Sequence, residues 1–320
     1  MHRTLVAALL IAAPAAAQLP PKPTPVPGSL LDEAAPSDRD DRPAAKRSSR
    51  KRLPEAPSWR AERPDWLQPD ARVVASFTGA DLAKKEGTIL RGTIATRSLP
   101  HPELTWWSRV RPIPPIERGC ATVYLKLHQD FRPGDGGKLP GFANTGMGRR
   151  YSSKPEVIQG KKVPNSGWGG RKTDGVHWSA RSGFGDWDDQ GVAFRTYFYA
   201  MSPKNLWGYV NRFGTLPKGE WSAYVQCVKL NDAGADNGGL YYEIVDAGTK
   251  YARDGIRWRD LDVPESLIDE FWLDFYCGGT KCGDGPRGTI SFAGAIITRG
   301  LPDMAKVRAE LNRLRRSDRN

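Results

Sequence analysis

The sequence predicts an all-β chain: a two-sheet antiparallel sandwich or β-jelly roll, followed by a short C-terminal helix. Three observations carry this. With 34 Gly and 26 Pro in 320 residues, the chain must turn often. From Ala71 onward, short runs of β-branched and aromatic residues follow one another between those turns. No helical pattern alternates with them, which removes the βαβ classes.

The elements follow in order. Arg72–Phe77 reads as a strand and Thr88–Ile94 as another. Cys120–His128 alternates and is rich in β-formers. Gly191–Met201, Trp221–Leu230, Leu240–Val245, Phe271–Tyr276 and Thr289–Thr298 are further strands, and Asn237-Gly238-Gly239 reads as a turn. Asp135–Gly141 reads as a loop, because Gly reaches positive φ and Pro140 fixes its own φ. It presents Lys138 as a positioned cation. After Leu301, Pro302 and Asp303 open a helix whose Met304, Val307, Leu311 and Leu314 share one face. Lys306, Arg308, Arg313, Arg315 and Arg316 surround that face, which is expected to pack on the sandwich.

The first 70 residues have a different character. His2 and Arg3, the apolar run Leu5–Ala13 and the small residues Ala15–Ala17 read as a secretory signal peptide. The run is too short to span a bilayer. Gln18–Asp70 is rich in Pro, Ala and charge and reads as a disordered linker; its basic cluster Lys46–Arg52 is a solvated charge run. The expected layout is a signal peptide over 1–17, a linker over 18–70, a sandwich domain over 71–300 and a basic helix over 301–320. The mature chain is expected to be a secreted or periplasmic monomer without an integral membrane segment.

A net charge of +12 calls for an anionic partner: nucleic acid, an anionic surface or an acidic polysaccharide. The 11 Trp and 10 Tyr suit stacking on sugars or bases. The signal peptide and the lack of a nucleic-acid motif argue against nucleic acid. Cys277 and Cys282 can close a small loop, and Cys120 with Cys227 a second bridge, although four cysteines allow three connectivities. The cysteine spacing and scattered histidines do not suit zinc, and no calcium loop is present, so no metal or cofactor is expected.

Strand alternation then places the chemistry. If Val176–Arg181 is a strand, His177, Ser179 and Arg181 share a face; if Phe194–Tyr199 is one, Arg195, Tyr197 and Tyr199 share another. The opposite positions Trp178, Ala180, Phe194, Thr196 and Phe198 suit a core. With Lys138, the polar sets are expected to form a solvated, concave, basic face. β-Elimination at a uronic acid needs those groups. Cations neutralise the carboxylate and stabilise the enolate-like intermediate. A base takes the C5 proton, and an acid protonates the leaving oxygen on C4. A tyrosine beside cations suits both roles. Glycoside hydrolysis needs two carboxylates. Asp186, Asp188 and Asp189 sit in a turn-like run and Asp269 and Glu270 precede a strand, so the cleft reads as acid-poor. Ser179 lacks the G-x-S-x-G elbow of an activated nucleophile.

These residues resemble those of the alginate and glucuronan lyases of polysaccharide lyase families fourteen and twenty. Gly136–Gly141 is similar to their Gly-Gly-Lys-Leu-Pro-Gly stretch, Ser179-Ala180-Arg181 to their Ser-x-Arg strand, and Tyr197-Phe198-Tyr199 to their Tyr-x-Tyr strand. Gly219-Glu220-Trp221, the run Gln226–Asn231 and Phe275–Gly279 resemble later motifs in the same order. The resemblance implies a jelly roll that cleaves a polyuronate endolytically by β-elimination, alginate being the leading substrate. Carried over, Lys138 and Arg181 neutralise the carboxylate, Tyr199 or Tyr197 is the acid/base, and Ser179 orients sugar or tyrosine. His177, Arg195 and Gln226 are then expected to bind substrate. Two departures stand out: a long, basic insertion over Asn144–Asp174, and Cys227 at a position often charged in the family. Without catalysis, the same face would suit a module that binds acidic polysaccharide.

Overall fold

The computed structural model describes residues 62–78, 89–90, 93–96, 110–134, 136–145, 156–163, 166–168, 173–188, 191–201, 209–275 and 288–319. The expected signal peptide, the basic cluster and the pair Cys277/Cys282 lie outside the described residues.

In chain order the strands begin with β1 (Val73–Thr78), β2 (Ile89–Leu90), β3 (Thr93–Thr96), β4 (Val110–Ile116) and β5 (Arg118–Leu127). Then come β6 (Gly137–Asn144), β7 (Glu156–Ile158), β8 (Lys161–Val163), β9 (Trp178–Asp188) and β10 (Gly191–Tyr199). They continue with β11 (Tyr209–Leu216), β12 (Trp221–Lys229), β13 (Gly238–Ile244), β14 (Thr249–Ile256), β15 (Ile268–Trp272) and β16 (Gly288–Thr298). Helix α1 (Met304–Ser317) follows. The single strand expected over Thr88–Ile94 is instead the two short partners β2 and β3.

Two antiparallel sheets form the sandwich. An eight-stranded sheet runs β14-β13-β12-β5-β16-β3-β2, with β1 also on β16; a six-stranded sheet runs β11-β10-β9-β6-β15-β4. Between them lies the main core, which includes Val123, Leu125, Phe142, Trp178, Phe194, Phe198, Tyr224 and Trp258. Alternation makes this possible: Trp178, Ala180 and Phe184 of β9 and Val192, Phe194 and Phe198 of β10 point inward.

The sheets differ on their outer faces. The eight-stranded sheet is apolar outside too, through Cys120, Tyr124, Val225, Cys227 and Tyr241. It is covered by Val307, Leu311 and Leu314 of α1, whose start is capped by the Asp303 carboxylate accepting from Ala305 and Lys306 N–H groups. Leu67 joins the same cluster, Trp66 Nε1 donates to Asp254 at 2.7 Å, and Pro69 bridges to Leu301. Packing therefore begins ahead of the boundary expected at Ala71. Cys120 and Cys227 face each other across β5 and β12 and form a disulfide. The six-stranded sheet carries its polar residues outside, and there the candidate site lies.

Two strands of that sheet defy the usual composition. β4 contains Pro112, Pro114 and Pro115, and it is tolerated because it forms the sheet edge. β6 lies in the interior, between β9 and β15, although Gly137, Pro140 and Gly141 made it read as a loop. Its register against β9 shifts between Leu139 and Gly141, so Pro140, which has no N–H to give, sits in a bulge.

Candidate active site

Neighbouring strands bring the predicted residues together. Tyr197 lies opposite Arg181, Tyr199 opposite Ser179, and Arg195 and Lys138 both opposite Gly183. Lys138 Nζ lies 3.4 Å from the centroid of the Tyr197 ring, and the Arg181 guanidinium 5.1 Å from it. On its other side Arg181 stacks 4.9 Å from the Trp272 ring. The Tyr197 and Tyr199 hydroxyls are 3.0 Å apart and share a hydrogen bond. Arg195 crosses β9 where Gly185 leaves room; a Cβ on Gly185 would lie 1.8 Å from its Cζ. Lys138, Arg181, Arg195, Tyr197 and Tyr199 thus form one constellation.

The face is more enclosed than a solvated cleft. Arg181 is 1% exposed, Tyr199 2% and Lys138 9%; Tyr197 and Arg195 are half-buried. The 144–174 insertion packs onto this face: Trp168 lies with Ala143 and Trp272, and Ser179 Oγ donates to the Gly167 carbonyl at 2.6 Å. Burial beside the guanidinium of Arg181, with Arg195 adding repulsion and Asp274 opposing it, brings the Lys138 pKa down to about 7. This lysine exchanges its proton near neutral pH.

Three expectations need correction. The site is not acid-poor. Asp274 is fully buried and accepts from Arg181 Nη1 at 2.7 Å, and the buried Glu270 carboxylate accepts from Thr145 and from Trp272 Nε1. Ser179 holds the insertion backbone rather than facing a sugar. His177 is fully buried with Nδ1 2.9 Å from Asp174 Oδ2, and the other oxygen of that carboxylate, Oδ1, accepts from the His177 backbone N–H. Burial pushes the Asp174 carboxyl up, but the His177 contacts outweigh this and hold it below its ordinary value. His177 therefore anchors the turn into β9.

Gln226 is a further correction. It points into the sandwich core from β12, where Nε2 donates to the Ala180 carbonyl at 2.8 Å and to the Tyr242 hydroxyl at 2.6 Å. It lies beneath the site, out of reach of a ligand on the outer face. Asp274 and Trp272 are the residues that sequence reasoning missed. Their only signal was membership of an aromatic strand region.

No protein-family model matches the sequence, and no curated protein matches it. Solved structures do. Alginate lyase Aly36B, as a mutant with alginate tetrasaccharide, is 16% identical over 74% of this chain and 97% of that one, with a TM-score of 0.49. Alginate lyase vAL-1 from Chlorella virus is 14% identical over 71% of this chain and 100% of that one, TM-score 0.49. An endo-β-1,4-glucuronan lyase from the fungus Trichoderma reesei is 10% identical over 75% of this chain and 94% of that one, TM-score 0.37.

Among the described residues no group of His, Cys, Asp and Glu is arranged to hold a metal ion. No described helix is long and apolar enough to cross a membrane.

Proposed function

We propose that this chain is a secreted polysaccharide lyase that cleaves an acidic polyuronate, alginate first and glucuronan as the alternative, by β-elimination. One observation carries the reading: two tyrosine hydroxyls 3.0 Å apart, with two cations against the ring of one of them. Lys138 in its protonated form, with Arg195 and Arg181, neutralises the uronate carboxylate and favours the charge that develops when C5 is deprotonated. Tyr199, reacting as its phenolate, takes the C5 proton and becomes the phenol. The electron pair forms the C4–C5 double bond, the C4–O bond breaks, and the leaving oxygen is protonated from the Tyr197–Tyr199 pair. Asp274 keeps Arg181 in place. The secreted location rests on the Met1–Ala17 reading.

The depth of the site favours a second reading, a module that binds acidic polysaccharide without cleaving it: Tyr199 and Arg181 are almost fully covered. Mass spectrometry of polymannuronate, polyguluronate and glucuronan after incubation separates the readings. Elimination leaves fragments one water lighter than hydrolysis products. Intact polymer that still co-sediments with the protein supports the binding module.

A further inference from the structure

The bulge in β6 leaves backbone groups without ladder partners, and the opposite sheet supplies them. The Phe142 N–H donates to Gln226 Oε1 at 3.3 Å, and the Pro140 carbonyl accepts from the Tyr224 hydroxyl at 2.9 Å. On β9, the Ala180 carbonyl accepts from Gln226 Nε2 at 2.8 Å and the Arg181 carbonyl from the Tyr242 hydroxyl at 2.9 Å. Gln226 Nε2 also donates to Tyr242. All three side chains are fully buried. Four backbone groups around Pro140-Gly141 are thus satisfied through the core by three side chains of β12 and β13. Gly141 allows the close approach: a Cβ there would meet the Ala180 carbonyl at 2.4 Å and Arg181 Cα at 2.5 Å.

We infer that Gln226, Tyr224 and Tyr242 are positioning residues, which hold the Pro140-Gly141 bulge and so place Lys138 and Arg181 against Tyr197. The inference rests on the lyase reading for its kinetic consequence, though not for its geometry. A regular β6 would change the register of Lys138 relative to Arg181 by one residue, and a one-residue slip turns a side chain to the other face. Unpaired buried backbone groups are costly, so the bulge persists only while its partners remain. Burial keeps both tyrosines protonated as donors, raising their pKa values above the ordinary phenol value. The site is therefore set from beneath, by groups that never touch the ligand.

The test compares Gln226→Leu and Tyr242→Phe with Val228→Ala, a change on β12 in the same core that involves no bulge contact. Tyr242→Phe removes one hydroxyl and keeps the test open if Gln226→Leu does not fold. Two readouts are taken: kcat and KM on the polyuronate, and the titration of Lys138 followed by the 13Cε signal of labelled lysine, assigned with Lys138→Met. Positioning predicts a kcat loss of about 10- to 100-fold with KM changed far less, as small misplacements of reacting groups do. It also predicts that the Lys138 titration moves upward from neutral pH, while Val228→Ala changes neither. A loss of stability with both readouts unchanged would overturn the inference. If the unmodified protein cleaves no polyuronate, the lyase reading fails by itself, and the lysine titration alone decides the positioning.

Discussion

Lys138 Nζ lies 3.4 Å from the centre of the Tyr197 ring, inside the sheet face rather than on a loop above it. A desolvated cation on an aromatic face gains about 2 kcal/mol. That gain opposes the cost of burying the charge beside Arg181, which draws the Lys138 pKa down to about 7.

Folding stability should record this cost. The folded pKa lies below the unfolded value of 10.5, so between about pH 7 and 10.5 the unfolded chain binds the extra proton. The Lys138 penalty is full below about pH 7 and fades as pH rises through that window. Lys138→Met should therefore stabilise the protein by about 1–4 kcal/mol at pH 6, as replacement of buried charge by apolar volume often does. The gain should shrink toward pH 10. Urea denaturation at the two pH values checks both the sign and the trend.

Activity should show the opposite preference. The groups facing Lys138 are Arg181, Arg195, Asp274 and Tyr197. If protonated Lys138 receives the uronate carboxylate, kcat/KM falls as pH rises through about 7, the value of the free protein. The bound carboxylate stabilises the cation, so kcat holds to higher pH. A kcat/KM that rises through pH 7 would instead make Lys138 the base.

Asp274→Ala leaves Arg181 buried without its counter-charge and should cost about 3–5 kcal/mol. It also removes a charge that raises the Lys138 pKa, so the fall in kcat/KM should move to lower pH. Urea unfolding and a pH–rate profile measure the two effects.

Cys120→Ala with Cys227→Ala should cost about 2–4 kcal/mol, because the bridge closes a long loop in the unfolded chain. The bridge lies on the outer side of the eight-stranded sheet, under α1, while the candidate site lies on the other sheet. The kcat of the double variant should therefore stay near that of the unmodified protein at a temperature where both are folded.

Much of this architecture was legible in the sequence because alternation is a local signal. Trp178, Ala180, Phe194 and Phe198 point into the core as their spacing required, and Tyr197, Tyr199 and Arg181 share the outer face. Of what was not legible, three things bear on the site. β4 was hidden by its prolines and β6 by Pro140 and Gly141, since nothing nearby in sequence announces an edge or a bulge. The partner that fixes Arg181 is Asp274, 93 residues away. Ser166–Trp168 pack onto this face at Ser179 and Trp272, and their insertion carries no pattern that tells where it folds. Gln226, expected to bind substrate, instead lies in the core and meets the backbone of β6 and β9 from beneath.

The most direct measurement is the ultraviolet absorbance of the unsaturated uronate formed when the purified protein meets polymannuronate, polyguluronate or glucuronan, with Tyr199→Phe alongside. Elimination through the tyrosine pair predicts a rise with the unmodified protein on at least one polymer, and a rate about 10²- to 10⁴-fold lower in the variant. A rise that Tyr199→Phe leaves intact would contradict the role of that hydroxyl. No rise on any of the three polymers would contradict the lyase itself.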